Sequence, residues 1–400
     1  MARSCYVNMT EESLQQSGNK AEAQLGERHQ PSGLNADFIY AEVPFADYVR
    51  QIQAMLRQIH ARKDDLDKIV AGNSPFELLP LGEGCQGPIK RYKRGVLLVH
   101  GLIDSPYHMR HLATFFQSNG FRVMALLLPG HGTQPGDLLN VRWQEWAKAV
   151  AYGADCLDAE VDELYLAGFS AGAALSVLQA GQDQRVRGLF LFSPALEITE
   201  RARWANLHKL YSWLLPRAAW LSVLPDRDLY KYESFCKNAA AQMYKLIHAL
   251  PEEPIKIPVF AAASADDATV NSNATLRFMQ RTRHASCRLV WYATSKPEQN
   301  NVEWVNSAVP EQSILSSSHT AIVMPPEDAH YGAAGVYANC LHYLPHDPDG
   351  YATCLASAQV AWYGEIQEQN LRHSPLRRLT YNPHYAALES SMRKFIGTLT

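Results

Sequence analysis

An α/β chain on a mostly parallel central sheet, covered by helices on both faces, is predicted from three observations. Short, continuously apolar runs recur from residue 95 onward, helical segments separate them, and a G-x-S-x-G run sits where one strand gives way to a helix. The make-up agrees: 47% hydrophobic and 19% charged residues in 400 can fill a sizeable core, which excludes a disordered chain. Lys plus Arg is 37 and Asp plus Glu is 40, a net charge of -3. That balance gives no electrostatic footprint for nucleic acid.

The elements follow in order. Residues 1–36, rich in Glu, Gln, Ser, Gly and Asn, read as a mobile arm. Residues 37–89 read as a helical extension: Pro44 opens a helix in which Phe45, Tyr48, Val49, Ile52, Met55, Leu56 and Ile59 form one apolar stripe. After Gly72-Asn73-Ser74-Pro75 the chain reads as loop until Arg94. Then come strand 95–99, helix 107–118, strand 121–128, helix 143–159, strand 163–167, helix 171–180 and strand 186–192. Residues 257–262 and 288–292 supply two more strands with a helix at 275–281 between them, and a last helix follows Pro383.

The core is therefore assigned to 90–199 and 257–400. Residues 200–256, rich in Trp and Leu, interrupt the alternation, and insertions are expected at 293–316 and 325–382. The seven cysteines, Cys5, Cys85, Cys156, Cys236, Cys287, Cys340 and Cys354, show no C-x-x-C spacing and are expected as free thiols in a reducing compartment. The first residues lack a signal-peptide apolar run, and no apolar stretch reaches transmembrane length, so the expected location is cytoplasmic. Composition leaves the oligomeric state open.

Two glycine motifs need separating. Gly82-Glu-Gly84-Cys-Gln-Gly87 matches the dinucleotide fingerprint G-x-G-x-x-G, but Pro80 precedes it and Pro88 and a strand follow it. Without a strand before and a helix after, no pyrophosphate cradle forms, and the match is a loop coincidence. Gly168-Phe169-Ser170-Ala171-Gly172 lies between a strand and a helix. A sharp turn there lifts the Ser170 hydroxyl above the sheet, and the helix N-terminus offers the Ala171 N–H to an oxyanion. The pattern should arise by chance only roughly 0.09 times in a chain of this composition. Strand 95–99 ends in His100-Gly101-Leu102, whose Leu102 N–H is the expected second donor, with His100 shaping the loop.

With these runs in place, the chain resembles the serine α/β-hydrolases, close to the carboxylesterase and monoglyceride-lipase-like (lysophospholipase-like) branch. The carrying runs are Val96-Leu-Leu-Val-His-Gly-Leu102, Leu128-Pro-Gly-His-Gly-Thr133, Gly168-Phe-Ser-Ala-Gly172, Asp267-Ala-Thr-Val270 and Ser317-Ser-His319. The resemblance covers roughly residues 90 to 320 plus the last helix, and its specificity lies in the set of runs. It implies a triad in the order Ser, Asp, His. Ser264-Ala-Asp-Asp-Ala-Thr-Val270 offers Asp266 and Asp267; the resemblance to Asp-x-x-Val selects Asp267, leaving Asp266 to face solvent or cap the next helix.

The resemblance makes His319 the base, ahead of His330, His342 and His346. In the family the histidine follows soon after the last strand, whereas here about 26 residues intervene after Tyr292. His108, His111 and His131 are expected to be structural or surface groups, since no metal-ligand spacing of the H-E-x-x-H type occurs.

Chemically, His319 would take the Ser170 proton, Asp267 would hold the imidazole, and Leu102 and Ala171 N–H groups would bind the oxyanion. No metal or organic cofactor is called for. The family carries a cap or lid at the place of 200–256, where Trp204, Tyr211, Trp213 and Trp220 suggest a pocket for a medium or long acyl chain. The expected substrate is a small acyl ester. The same triad would also suit a serine peptidase, a thioesterase or a carbon–carbon bond hydrolase, and a non-catalytic binding protein could keep the fold.

Overall fold

The computed structural model describes residues 24–81, 91–197, 215–282, 284–297, 302–357 and 361–399. These fall into two compact units, one drawn from residues 24–259 and 281–285, the other from 260–280 and 286–400.

The first unit is built on five strands, β1 (Phe76–Leu78), β2 (Tyr92–Val99), β3 (Phe121–Ala125), β4 (Val161–Phe169) and β5 (Val186–Phe192), in the order β1-β3-β2-β4-β5. All pairings are parallel except β1 with β3. The runs Val96–Val99, Phe121–Ala125 and Leu189–Phe192 are completely buried, as strands covered on both faces must be. Helices α1 (Phe45–Ile59), α2 (Leu66–Asn73), α3 (Arg110–Ser118), α4 (Trp143–Asp158) and α5 (Ala171–Gln182) accompany them. α5 packs on β4 and β5, and α4 on β2 and β4.

Three expectations change in this unit. The expected loop before Arg94 contains β1, an edge strand too short to leave a periodic signature. β3 stops at Ala125 because Leu127 leaves the ladder: its N–H donates to the Tyr48 hydroxyl (3.2 Å), which donates in turn to the Leu127 carbonyl (3.0 Å). That bond also shows where the apolar stripe of α1 docks. The expected mobile arm is anchored from residue 24 onward. His29 and Asn35 are buried, Arg28 pairs with Asp226 at 3.0 Å, and Ser32 N–H and Oγ donate to Asp137 at 2.5 and 2.7 Å. Polar composition disguised a segment held by specific hydrogen bonds. Within the described part of 200–256 lie a two-stranded antiparallel pair, β6 (Trp220–Ser222) with β7 (Phe235–Cys236), and helix α6 (Lys237–Ile247).

The second unit carries the parallel strands β8 (Val259–Ser264), β9 (Arg288–Ala293) and β10 (Glu303–Asn306). Helix α7 (Ser272–Arg281) precedes β9. The segment 293–316, expected as an insertion, thus contains a further strand of the sheet. A short parallel pair, β11 (Trp362–Gly364) with β12 (Leu376–Arg378), and helix α8 (Pro348–Ala356) occupy the late insertion, before α9 (Tyr385–Ile396) closes the chain. Cys340 and Cys354 form a disulfide, which corrects the expectation of free thiols throughout; among the described residues Cys156, Cys236 and Cys287 are in no disulfide. A pairing across an irregular segment has no spacing motif to announce it. Among the described residues no helix is long and apolar enough to cross a membrane.

Candidate active site

Ser170 stands between β4 and α5 with φ 53° and ψ -113°, a left-handed backbone that a non-glycine residue adopts only when its surroundings impose it. Its N–H donates to the Phe192 carbonyl (2.9 Å), and its own carbonyl accepts from Ala173 (3.1 Å) and Ala195 (3.2 Å), so backbone bonds on both sides hold the turn. The flanking glycines are required by space. A Cβ on Gly172 would collide with the Val99 carbonyl oxygen, and one on Gly168 with the Gly172 backbone. Ser170 is 8% exposed.

The parallel register pairs Val99 with Gly168. Leu102 and Ala171, each three positions further along its own chain, therefore emerge from adjacent strand ends. Ala171 is the first residue of α5, so its N–H has no intrahelical acceptor. Beneath this loop His100 is fully buried: Nδ1–H donates to the Gly101 carbonyl (2.8 Å) and Nε2 accepts the Leu128 N–H (3.0 Å). Burial, aided by His131, pulls its pKa down to about 3, so it stays a neutral strut of the loop. Burial likewise brings His131 to about 4. Burial alone would raise Asp104, but Lys231, 3.0 Å away, and His108 outweigh it and bring the carboxyl to about 2.

In the second unit, His319 Nδ1–H donates to Asp267 Oδ2 at 2.6 Å. The other carboxylate oxygen of Asp267 accepts the N–H groups of Thr269 (2.8 Å) and Val270 (3.0 Å). Both side chains of the pair are nearly sealed, at 5% and 1% exposure. Asp266, expected at solvent or on a helix cap, is instead buried and accepts the Ser307 hydroxyl at 2.6 Å. Burial raises its pKa against the pull of that bond. Ser307 follows β10, which the sequence pattern concealed, so Asp266 had no visible partner. His319 itself comes soon after β10 ends at Asn306, which removes much of the long gap expected after Tyr292.

Sequence reasoning missed Glu365 and Arg378. Arg378 Nε donates to Glu365 Oε1 (2.6 Å) and Nη2 to Oε2 (2.8 Å), and Oε2 also accepts the His319 N–H at 3.1 Å. No local motif could have flagged a pair contributed by an irregular insertion.

Of the pocket residues expected in 200–256, Trp204, Tyr211 and Trp213 lie outside the described residues. Trp220 is 4% exposed and meets the His29 ring edge-on at 5.0 Å. The fingerprint match at Gly82, Gly84 and Gly87 also lies outside the described residues. Among the described residues no group of three His, Cys, Asp or Glu side chains is arranged to hold a metal ion.

A thermostable monoacylglycerol lipase of Bacillus sp. (strain H-257) is 31% identical over 104 residues, spanning 26% of this chain and 42% of the lipase. A carboxylesterase of Bacillus subtilis (strain 168) is 21% identical over 212 residues, spanning 50% of this chain and 83% of the esterase. Among solved structures, the monoacylglycerol lipase of Paleococcus ferrophilus is similar at 19% identity and a TM-score of 0.41, covering 52% of this chain and 91% of that one. The family described as serine aminopeptidase, S33, matches residues 90–296, more than half of the chain. The chain belongs to this family of serine α/β-hydrolases.

Proposed function

We propose that the protein hydrolyses a carboxylic ester through an acyl-enzyme on Ser170. The observation that carries this reading is the backbone of Ser170, a positive-φ serine at a strand-to-helix turn whose glycine neighbours have no room for a side chain. Strain of this kind persists where it presents a reacting group. In this reading His319 Nε2 takes the Ser170 proton, since Nδ1 is committed to Asp267. Asp267, fixed by two backbone N–H groups, holds the tautomer and stabilises the imidazolium. Leu102 and Ala171 N–H groups receive the oxyanion, each such donor worth about 10²–10³ in rate. The alcohol leaves with the proton held on His319, and water, giving its proton to the same imidazole, then cleaves the acyl-enzyme and frees Ser170.

The relatives' names support an ester as substrate, while the family description includes an aminopeptidase, so amides belong in the test. A fluorophosphonate probe should label the wild type and not Ser170→Ala, and an ester, thioester and amide panel should be turned over fastest as esters. Absence of labelling would instead favour a non-catalytic binding protein. Segment 200–256 is proposed as the cap for a medium or long acyl chain, a reading that rests on the sequence's aromatic residues Trp204, Tyr211, Trp213 and Trp220. Preference for p-nitrophenyl acetate over the octanoate would sink that assignment. The expected cytoplasmic location loses part of its support, because the Cys340–Cys354 bond belongs to an oxidising environment more readily than a reducing one.

A further inference from the structure

We infer that Glu365, brought in by the late insertion and oriented by Arg378, is a positioning residue for the Asp267–His319 pair; the inference rests on that pair being the base of the proposed triad. The Glu365 side chain is 1% exposed, and both of its oxygens are occupied. Oε1 accepts Arg378 Nε (2.6 Å) and the Ile366 N–H (2.8 Å). Oε2 accepts Arg378 Nη2 (2.8 Å), the His319 N–H (3.1 Å) and, at 3.4 Å, the Ala268 N–H. One carboxylate oxygen therefore bridges the backbone of the base and the residue that follows the acid. Arg378 reaches the acid turn as well, donating to Thr269 Oγ1 at 2.6 Å.

The carboxylate is itself fixed. The β11–β12 register pairs Gly364 with Arg378, placing Glu365 one step beyond its partner. The Glu365 N–H donates to Ser316 Oγ (3.0 Å), and Asn370 Nδ2 donates to both Ser316 Oγ and the Glu365 carbonyl (2.9 Å each). A buried fork-to-fork ion pair is a costly device for general stability. Its reach to both catalytic turns gives it a task that neighbouring Arg377, bound to the Cys354 and Leu355 carbonyls, does not share. An acceptor-only carboxylate takes donors on both oxygens at once, Arg378 Nε and the Ile366 N–H on Oε1 and the two backbone N–H groups of the acid and base turns on Oε2. An amide with its NH2 on one side cannot do this.

Glu365→Gln keeps the shape but turns an N–H toward one set of donors. It should lower kcat on the order of 10–100-fold, because small displacements of a catalytic pair cost that much, while KM stays within about twofold. The uncompensated Arg378 charge should shift the acid limb of the kcat/KM profile to lower pH. The low-field Nδ1 proton resonance of His319 should broaden or vanish. Arg377→Lys should leave all three readouts at wild-type values. Unchanged kcat, pH profile and resonance in Glu365→Gln would overturn the inference, as would equal losses in Arg377→Lys. If Glu365→Gln does not fold, Arg378→Lys, which keeps the charge and removes the fork, is read by kcat and the His319 resonance, with the acid limb expected to stay in place because no charge is left uncompensated. Failure of the triad reading is separate: the wild type would resist the fluorophosphonate, while the His319 resonance still reports whether Glu365 positions the pair.

Discussion

The serine turn and the histidine–aspartate pair are held by different physics. Around Ser170 the constraints are steric and made of backbone: glycines that admit no Cβ, a positive φ, and main-chain bonds to Phe192, Ala173 and Ala195. Around His319 they are ionic and made of side chains, namely Asp267, the Glu365–Arg378 fork, and Ser316 with Asn370. The proposed nucleophile needs a fixed position, which a close-packed backbone provides. The proposed base needs a fixed protonation state and tautomer, which charges and hydrogen bonds provide. The comparison predicts that chemical substitutions near Ser170 abolish reaction outright, while those near His319 divide into catalytic and silent ones.

The largest effect should come from Ser170→Ala, which removes the proposed nucleophile and no backbone contact. Turnover should fall at least about 10³-fold. The thermal midpoint should stay the same or rise, since a strained functional position is relieved of its task but not of its packing. Retained hydrolysis, followed on a p-nitrophenyl ester, would move the nucleophile elsewhere.

Next comes the pair of adjacent aspartates. Asp267→Asn should cut kcat by on the order of 10³–10⁴, by imposing the wrong imidazole tautomer. Asp266→Asn should cost less than about tenfold, because its partner is the Ser307 hydroxyl. Parallel kinetics of the two variants decide it, and a reversed ranking would break the assignment of Asp267 as the acid.

What was legible in the sequence follows the same division. Strands of continuous apolar residues and the glycine-flanked serine are local patterns, and β2, β4, β5 and α5 fall where those patterns put them. The fork of Glu365 and Arg378, the Ser307 partner of Asp266 and the Cys340–Cys354 bond join positions whose neighbouring residues carry no periodicity. β1 and β10, of three and four residues, are too short to announce a period. Steric constraints are written beside the residue they act on; ionic ones are written far from it.

The smallest and most discriminating prediction concerns acid. His100 has its pKa lowered from 6.5 to about 3, so the unfolded chain takes up a proton near pH 6.5 that the folded chain refuses until near pH 3. The stability it confers is therefore fully present above pH 6.5 and is lost progressively as pH falls toward 3. His131, lowered to about 4, adds to the same loss, whereas Asp104, brought from 3.8 to about 2, keeps its full contribution above pH 3.8 and loses it only as pH falls from there toward 2. Asp266 has the opposite sign. Its raised pKa gives stability that is present below 3.8 and lost as pH rises through the folded value. Thermal midpoints measured from pH 6.5 down to 4 should thus fall less steeply in His100→Asn than in the wild type. Asp266→Asn should gain on the wild type as pH rises toward 7. Parallel curves for His100→Asn and wild type would mean that the loop after β2 is held without its buried neutral histidine, and that the serine side rests on its backbone constraints alone.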